Sequence, residues 1–172
     1  MPPTPLNGNM NPLRFSCPDP PATAALATRL AIACEGRSAV IALCGPLGAG
    51  KTWFAAAFGR QWGSTTPLTS PTFTLLHEHR RTRDERRLYH LDGYRLETPA
   101  EARALGIDDC LAYEAILLVE WPERFGPALP AARITVAFCE PASGGRQLSL
   151  WANGDEAHAL LQRLPRFETN PA

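Results

Sequence analysis

The chain has 172 residues, of which 45% are hydrophobic and 20% charged, which is enough for one globular domain with its own core. Seventeen basic residues balance seventeen acidic ones, so the net charge cannot by itself attract the protein to nucleic acid or to a membrane. No apolar run approaches about 18 residues, and the N-terminus lacks a basic start followed by an apolar stretch. We therefore expect a cytoplasmic protein without a membrane span or signal peptide.

The cysteines and the single lysine bear on compartment and site. Five cysteines, none in a C-x-x-C pair, indicate reduced, mostly buried thiols and no zinc site or disulfide framework. Sixteen of the seventeen basic residues are arginine. The lone lysine, Lys51, suggests a site that needs a compact ammonium, with compositional bias as an equal alternative until its neighbours are considered.

The N-terminal third predicts a leader, a helix and a strand. Residues 1–15 are rich in Pro and Asn and indicate a flexible leader. Asp19, followed by a proline, predicts the N-cap of a helix that ends near residue 35. Residues 38–44 form a short apolar run typical of a buried parallel strand. A glycine-rich loop and a helix over about 51–62 follow.

The rest of the chain alternates strands and helices. The patterns predict an extended stretch over residues 72–79, a polar hairpin tip over 80–87 and a strand over 88–92. They then predict a helix over 98–106, a strand over 115–120, an antiparallel strand pair over 133–138 and 146–152, and a last helix over 155–164. We predict an α/β fold, a single P-loop NTPase-like domain with a mixed central sheet flanked by helices and a C-terminal antiparallel strand pair. The domain is expected over residues 16–165, with a tail over 166–172.

Residues 45–52, GPLGAGKT, satisfy the phosphate-loop pattern G-x-x-x-x-G-K-[ST]. In such loops successive backbone N–H groups hold a polyphosphate, and glycines let the chain come close to it. Lys51 is expected to bridge the outer phosphates of a bound nucleotide, and the Thr52 hydroxyl to ligate Mg²⁺. The candidate nucleotide-binding residues here are Gly45, Leu47, Gly48, Ala49, Gly50, Lys51, Thr52 and Trp53.

Two acidic residues end predicted strands. Glu120 ends AILLVE, which is apolar on both faces like a central strand, so Glu120 is the preferred second candidate ligand of the metal. Asp92 ends LYHLD, and we expect it to orient the attacking water or to complete the outer shell of the metal. The structural alternative for Asp92 is hydrogen bonding to the loop 93–95.

Five segments together resemble the TsaE (YjeE) family, the bacterial P-loop ATPases required for the threonylcarbamoyladenosine modification of tRNA. They occur in the family's order and spacing, as GPLGAGKT, SPTFTL, HLDGYRL, LGIDD and LVEWPER, beginning at residues 45, 70, 90, 105 and 118. The resemblance extends over about residues 18–151. Trp53 departs from it, since it stands where the family has a second hydroxyl residue.

The resemblance also implies roles outside the phosphate loop. The loop Ser70, Pro71 and Thr72 takes the place of the family's switch-like segment near the terminal phosphate. Asp92 and Arg95 belong to the H-x-D-x-Y-R element, and we expect Arg95 to supply charge to the transferred phosphoryl group. Two further nucleotide-binding residues are implied: Trp121 beside the site and Asp19 near the base.

The implied function is ATP hydrolysis, with Mg²⁺, on the TsaB–TsaD pair, with tRNA reached only indirectly and no membrane contact. Two alternatives stay open, a small-molecule kinase with residues 80–87 as an arginine-bearing lid and a nucleotide-sensing scaffold without turnover. A GTPase is disfavoured because its N-K-x-D motif needs a second lysine. A metal site at His77, His79 and His90 is a minor alternative, and the arginines of residues 80–87 are better interpreted as a solvated hairpin tip than as a tRNA surface.

Overall fold

Seven strands form one mixed sheet in this computed structural model, which describes residues 12–70, 75–112 and 114–164. In chain order they are β1 Leu13–Cys17, β2 Ala39–Cys44, β3 Leu76–Arg80, β4 Arg87–Asp92, β5 Ala115–Glu120, β6 Arg133–Cys139 and β7 Arg146–Asn153. Their order across the sheet is β1-β7-β6-β2-β5-β4-β3. The pairs β2–β5, β2–β6 and β4–β5 are parallel, and the other three are antiparallel. The predicted mixed sheet and the antiparallel pair β6–β7 are confirmed.

Helices lie on both faces of this sheet. Within the described residues they are α1 Pro20–Ala33, α2 Lys51–Trp62, α3 Pro99–Ala104, α4 Ile107–Leu111 and α5 Asp155–Gln162. The predicted cap is confirmed, because Asp19 accepts a hydrogen bond from the Ala22 amide; Thr98 caps α3 in the same way by accepting one from the Glu101 amide. Such caps satisfy amides that the first helical turn leaves without a partner.

The sheet separates two apolar clusters. One packs α1, α2 and α5 against one face, and the other packs α3, α4 and the segment around Phe125 against the opposite face. Every residue of β2 and β5 is buried, which explains why these two strands are apolar on both faces. The side chains of β4 alternate between the two faces, with Leu88 in the first cluster and Tyr89 and Leu91 in the second. The carboxyl ends of the parallel strands β2, β4 and β5 therefore meet at one edge.

One boundary predicted from the sequence is wrong. The leader does not extend to residue 15, because β1 begins at Leu13 and pairs Phe15 with Leu148 of β7. That partner is distant in sequence, so local composition carries no sign of it. The helix predicted over residues 98–106 does end at Gly106, whose φ is +66, and α4 follows at once with Gly106 as its N-cap. The remaining leader residues, 1–11, and the predicted tail, 166–172, lie outside the described residues.

The cysteines are free thiols, as predicted, and all except Cys139 are buried. Burial raises the pKa of Cys34 and of Cys44 to about 12. Among the helices in the part of the chain that the structure describes, none is long and apolar enough to cross a membrane.

Candidate nucleotide site

The glycine-rich loop joins the end of β2 to the first residue of α2. Gly48 at φ +78 and Gly50 at φ +97 have left-handed backbones that favour glycine. Gly45 is required for a different reason: a Cβ there would lie 2.9 Å from the Cβ of Phe138 on β6. The start of the loop is therefore packed closely against β6. The left-handed backbones of Gly48 and Gly50 let the end of the loop turn into α2.

Lys51, the first residue of α2, is only 5% exposed and lies folded back over this loop. Its Nζ donates hydrogen bonds to the carbonyl oxygens of Gly45 and Pro46, each at 2.8 Å. The same Nζ lies 3.9 Å from the centroid of the Trp121 ring, within cation–π range. Burial lowers the pKa of Lys51, although the carboxylates of Glu120, Glu123 and Asp92 oppose the shift.

The two predicted magnesium ligands are in contact. Glu120 ends β5 and is 2% exposed, and the Thr52 hydroxyl donates to its Oε2 at 3.0 Å. The contact follows from the sheet order, because β5 is the neighbour of β2, whose carboxyl end leads through the loop into α2. Asp92 ends β4 and is the register partner of Glu120, so both carboxylates lie at the same edge of the sheet.

Asp92 connects two loops. Its Oδ2 accepts a hydrogen bond from the Ser70 hydroxyl at 2.8 Å, and its Oδ1 accepts one from the Tyr94 amide at 2.9 Å. The interpretation of Asp92 as a loop-bonding residue therefore holds, and its contact with Ser70 also links it to the predicted switch-like loop. The other two residues of that loop, Pro71 and Thr72, lie outside the described residues.

Trp121 has an unusual backbone directly after Glu120. Its φ of +56 is the only positive value at a non-glycine position in the described ranges, and such a conformation is rare for a bulky residue. Its ring lies over Lys51 and meets the Tyr94 ring at 5.2 Å between centroids. Gly93 is required beside it, because a Cβ there would lie 2.9 Å from the Trp121 carbonyl oxygen. Backbone strain of this kind is concentrated at functional sites.

The other predicted residues lie nearer the rim. Asp19 uses its carboxylate to cap α1. Trp53 is 51% exposed, and its indole N–H donates to the Pro20 carbonyl at 2.9 Å, which holds the ring across the start of α1. Leu47 is 71% exposed at the tip of the loop, and the side chain of Arg95 is exposed beyond Tyr94.

Sequence reasoning missed two residues that contact the site. His90 is fully buried, and its Nε2 lies 3.0 Å from Oε1 of Glu120. Its place two residues before Asp92, on the same face of β4, was a signal that could have found it. Arg146 donates to the carbonyl oxygens of Gly48 and Ala49 from the start of β7, and no local pattern indicates this contact. The described residues contain no group of three His, Cys, Asp or Glu side chains that could hold a metal ion.

A glycine-rich loop between a buried parallel strand and a helix, with a lysine, a hydroxyl and a strand-end carboxylate around it, defines a P-loop protein of the α/β class. Residues 17–148 match the family model described as threonylcarbamoyl adenosine biosynthesis protein TsaE. The chain belongs to the TsaE family, whose members take part in threonylcarbamoyladenosine biosynthesis. The sequence resemblance is thereby confirmed.

Individual relatives agree with this assignment. The chain is 32% identical over 159 residues to the tRNA threonylcarbamoyladenosine biosynthesis protein TsaE of Bacillus subtilis, covering 92% of this chain and 98% of that one. It is 40% identical over 127 residues to the protein of the same name from Synechocystis sp., covering 72% and 78% of the two chains. A crystal structure of Bacillus subtilis YdiB is similar with a TM-score of 0.74 at 28% identity, covering 90% of this chain and 94% of that one.

Proposed function

We propose that this chain binds ATP with Mg²⁺ and hydrolyses it in support of threonylcarbamoyladenosine formation on tRNA, acting on the TsaB–TsaD pair. The observation that carries the proposal is the convergence of Lys51, Thr52 and Glu120 at the phosphate loop. Since such an assembly works where tRNA is, we also propose the cytoplasm as its compartment.

Lys51 is suited to hold phosphate. A lysine ammonium has three N–H donors, and two of them are used by the Gly45 and Pro46 carbonyls. The third donor, together with the full positive charge, is left for an outer phosphate oxygen. The carbonyl bonds keep the ammonium on the loop, so little side-chain freedom is lost when phosphate binds.

Thr52 and Glu120 fit a magnesium ion. They present one hydroxyl and one carboxylate oxygen within 3.0 Å of each other, and Mg²⁺ is bound by few carboxylates together with phosphate oxygens and water. When bound, the ion would neutralise charge that develops on the transferred phosphoryl group. His90 holds the second oxygen of Glu120, so the carboxylate is oriented before the ion arrives.

Asp92 is the candidate for orienting water. Its position beside Glu120, with one oxygen on the Ser70 hydroxyl, puts an acceptor at the edge where the terminal phosphate would lie. In hydrolysis the water oxygen bonds to the γ-phosphorus, the bond from that phosphorus to the β,γ-bridging oxygen breaks, and the water proton passes to Asp92 or to phosphate. Arg95 would stabilise the charge on the transferred group.

The small-molecule kinase alternative is weakened by the position of the arginine-rich hairpin, residues 80–87. Its buried Arg81 stacks on Trp62 and pairs with Asp84, and Arg83 pairs with Glu35. Trp62 ends α2, a 12-residue helix about 18 Å long that begins at the phosphate loop. A hairpin fixed at that distance cannot close over the phosphates as an acceptor lid.

Nucleotide binding is tested first. Lys51→Ala should abolish ATP binding in a calorimetric titration, and Lys51→Arg should also fail because a planar fork does not fit between the two carbonyls under the Trp121 ring. Arg60→Ala, which removes an exposed cation from the same helix, is the matched control and should bind normally. ATP affinity unchanged in the alanine variant would refute the proposed site.

Action on the partner pair is tested by co-purification with TsaB–TsaD, with and without ATP. The proposal expects retention that depends on the nucleotide, together with release of inorganic phosphate. Retention without any phosphate release would favour the nucleotide-sensing scaffold. Phosphate transfer that appears only when a small-molecule acceptor is added would favour the kinase.

A further inference from the structure

Arg146 is distant from the phosphate loop in sequence but contacts that loop in the folded domain. It is the first residue of β7, and its Nε donates to the Ala49 carbonyl at 3.0 Å while Nη2 lies 3.3 Å from the Gly48 carbonyl. No side chain of the loop motif itself makes these contacts. The guanidinium therefore holds two successive peptide groups at the turn of the loop.

The effect on the loop follows from peptide geometry. In a trans peptide the C=O and the next N–H lie in one plane and point in opposite directions, and no described peptide bond is cis. Fixing the Gly48 and Ala49 carbonyls towards Arg146 therefore directs the amides of Ala49 and Gly50 to the other side. The Ala49 amide already points back into the loop, where it donates to the Pro46 carbonyl at 3.3 Å.

The guanidinium is itself held in place. Nη2 pairs with Glu140 at 3.0 Å, and Nη1 donates to the Gly145 carbonyl at 2.8 Å. Gly145 fits against the turn before α1, because a Cβ there would lie 2.9 Å from both the Cys17 carbonyl oxygen and the Pro18 Cα. The β6–β7 turn thus has a fixed position relative to the start of α1, and it places Arg146 at the loop.

We propose that Arg146 is a positioning residue that presents the amides of the phosphate loop to the nucleotide. The proposal rests on the proposed nucleotide binding and adds to it a contact outside the loop motif. It does not require Arg146 to touch phosphate. Its role is to keep glycine-rich backbone, which has high conformational freedom, in the one arrangement that binds.

Two variants separate positioning from simple charge. Arg146→Gln removes the charge and the fork, whereas Arg146→Lys keeps the charge but has a single nitrogen, which cannot take the places of both Nε and Nη2. Arg14→Gln, at an exposed arginine on the neighbouring strand β1, is the matched control. We expect the dissociation constant for ADP, measured by calorimetry, to rise about tenfold or more in both Arg146 variants, the range set by charged hydrogen bonds, and to stay unchanged in the control.

Amide hydrogen exchange in the nucleotide-free proteins gives a second measurement. The amides of residues 48–50 should exchange faster in both Arg146 variants, while the core strand β2 stays as protected as in the unchanged protein. Wild-type ADP affinity or wild-type exchange in Arg146→Lys would overturn the positioning role. If the unchanged protein binds no nucleotide, the proposed function fails, and faster exchange in the variants would still support the contact between Arg146 and the loop. A variant that does not fold is replaced by Glu140→Gln, which removes only the anchor and should show the same exchange change to a smaller degree.

Discussion

At the residue scale, the two carboxylates of the site differ in what they already contact. Glu120 has one oxygen on the Thr52 hydroxyl and the other on buried His90. Asp92 has its oxygens on the Ser70 hydroxyl and on the Tyr94 amide. Glu120 is thus fixed against the first turn of α2, whereas Asp92 is fixed against loops. Their neutral amide variants should therefore fail in different ways.

We expect Glu120→Gln to lose the gain in ATP affinity that Mg²⁺ gives, because an amide is a far weaker magnesium ligand than a carboxylate. Asp92→Asn should keep most of that gain and lose turnover by about 10²-fold, the lower range for general acid–base groups. Titrations with and without Mg²⁺ measure the first effect, and phosphate release measures the second. The reverse ranking would exchange the two roles.

The sequence predicted the close approach of Lys51, Thr52 and Glu120, because a loop motif and a strand-end acid meet wherever parallel strands share an edge. It did not predict His90 as the partner of Glu120. The reason is physical: a histidine on a buried strand face has the same pattern whether it fills the core or bonds a carboxylate. Only the register of β4 against β5 decides between the two.

At the element scale, the junction of β2 and the phosphate loop should tolerate no side chain at Gly45. Gly45→Ala would place a Cβ 2.9 Å from Phe138 at φ +151, and we expect a loss of at least about 2 kcal/mol in unfolding free energy from overpacking and backbone strain. Gly36→Ala, at φ +71 with open space around it, is the matched control and should lose only about 1–2 kcal/mol. Urea unfolding measures both. Equal losses would show that the contact with β6 contributes nothing.

The β3–β4 hairpin should make the fold sensitive to acid. His79 on β3 is 4% exposed; its Nδ1 contacts the hydroxyls of Ser64 and Thr66, and its Nε2 has no partner in the described ranges. Burial, followed by the nearby His90 and His77, lowers the pKa of His79 below its ordinary 6.5. The unfolded chain therefore binds the proton more readily than the folded one. The stability that neutral His79 contributes is fully present above pH 6.5 and is lost as the pH falls towards the pKa of His79 in the folded state.

The measurement is the free energy of unfolding in urea at pH 7.5 and 5.5. We expect the free energy of unfolding to differ less between the two pH values in His79→Gln than in the unchanged protein. His77→Gln, on the same strand and half-buried, should leave most of the difference in place. A pH dependence unaltered by the His79 substitution would assign the acid sensitivity to other groups.

Elements defined by local pattern were predicted correctly, and those defined by distant pairing were not. The caps of α1 and α3 and the apolar runs of β2 and β5 are local signals. In contrast, β1 is a five-residue edge strand that pairs, within the described ranges, with β7 alone. The pairing that makes residues 13–15 a strand is therefore absent from their neighbourhood in sequence.

At the scale of the whole molecule, the two ends of α2 have different surfaces. At its C-terminal end, the arginines of the hairpin are paired with acids of the same chain; Arg86, for example, pairs with Glu114. The end at the phosphate loop instead exposes apolar and cationic groups, namely Leu47, Tyr94 and Arg95. At the phosphate-loop end of α2, exposed groups are less engaged in ion pairs within the chain and so are more available to a protein partner.

This difference motivates the prediction that ATP turnover depends on the partner. Phosphoryl transfer needs charge placed around the transferred group, and one missing arginine can cost about 10³–10⁵ in rate. Arg95 is exposed, next to Tyr94 whose ring rests on Trp121, so it is near the site without being fixed in it. We expect slow hydrolysis by the isolated chain and a rise of at least about tenfold when the TsaB–TsaD pair orders Arg95.

Arg95→Ala should remove that rise while leaving ATP binding and slow basal hydrolysis intact, because the residue would act only in the assembled state. Arg103→Ala, which removes an exposed arginine from α3, is the matched control and should be stimulated like the unchanged protein. Steady-state phosphate release, with and without the pair, measures each case. If the isolated chain already turns over as fast as the assembly, Arg95 is not ordered by a partner, and the domain must complete its own transition-state clamp from residues such as Lys51.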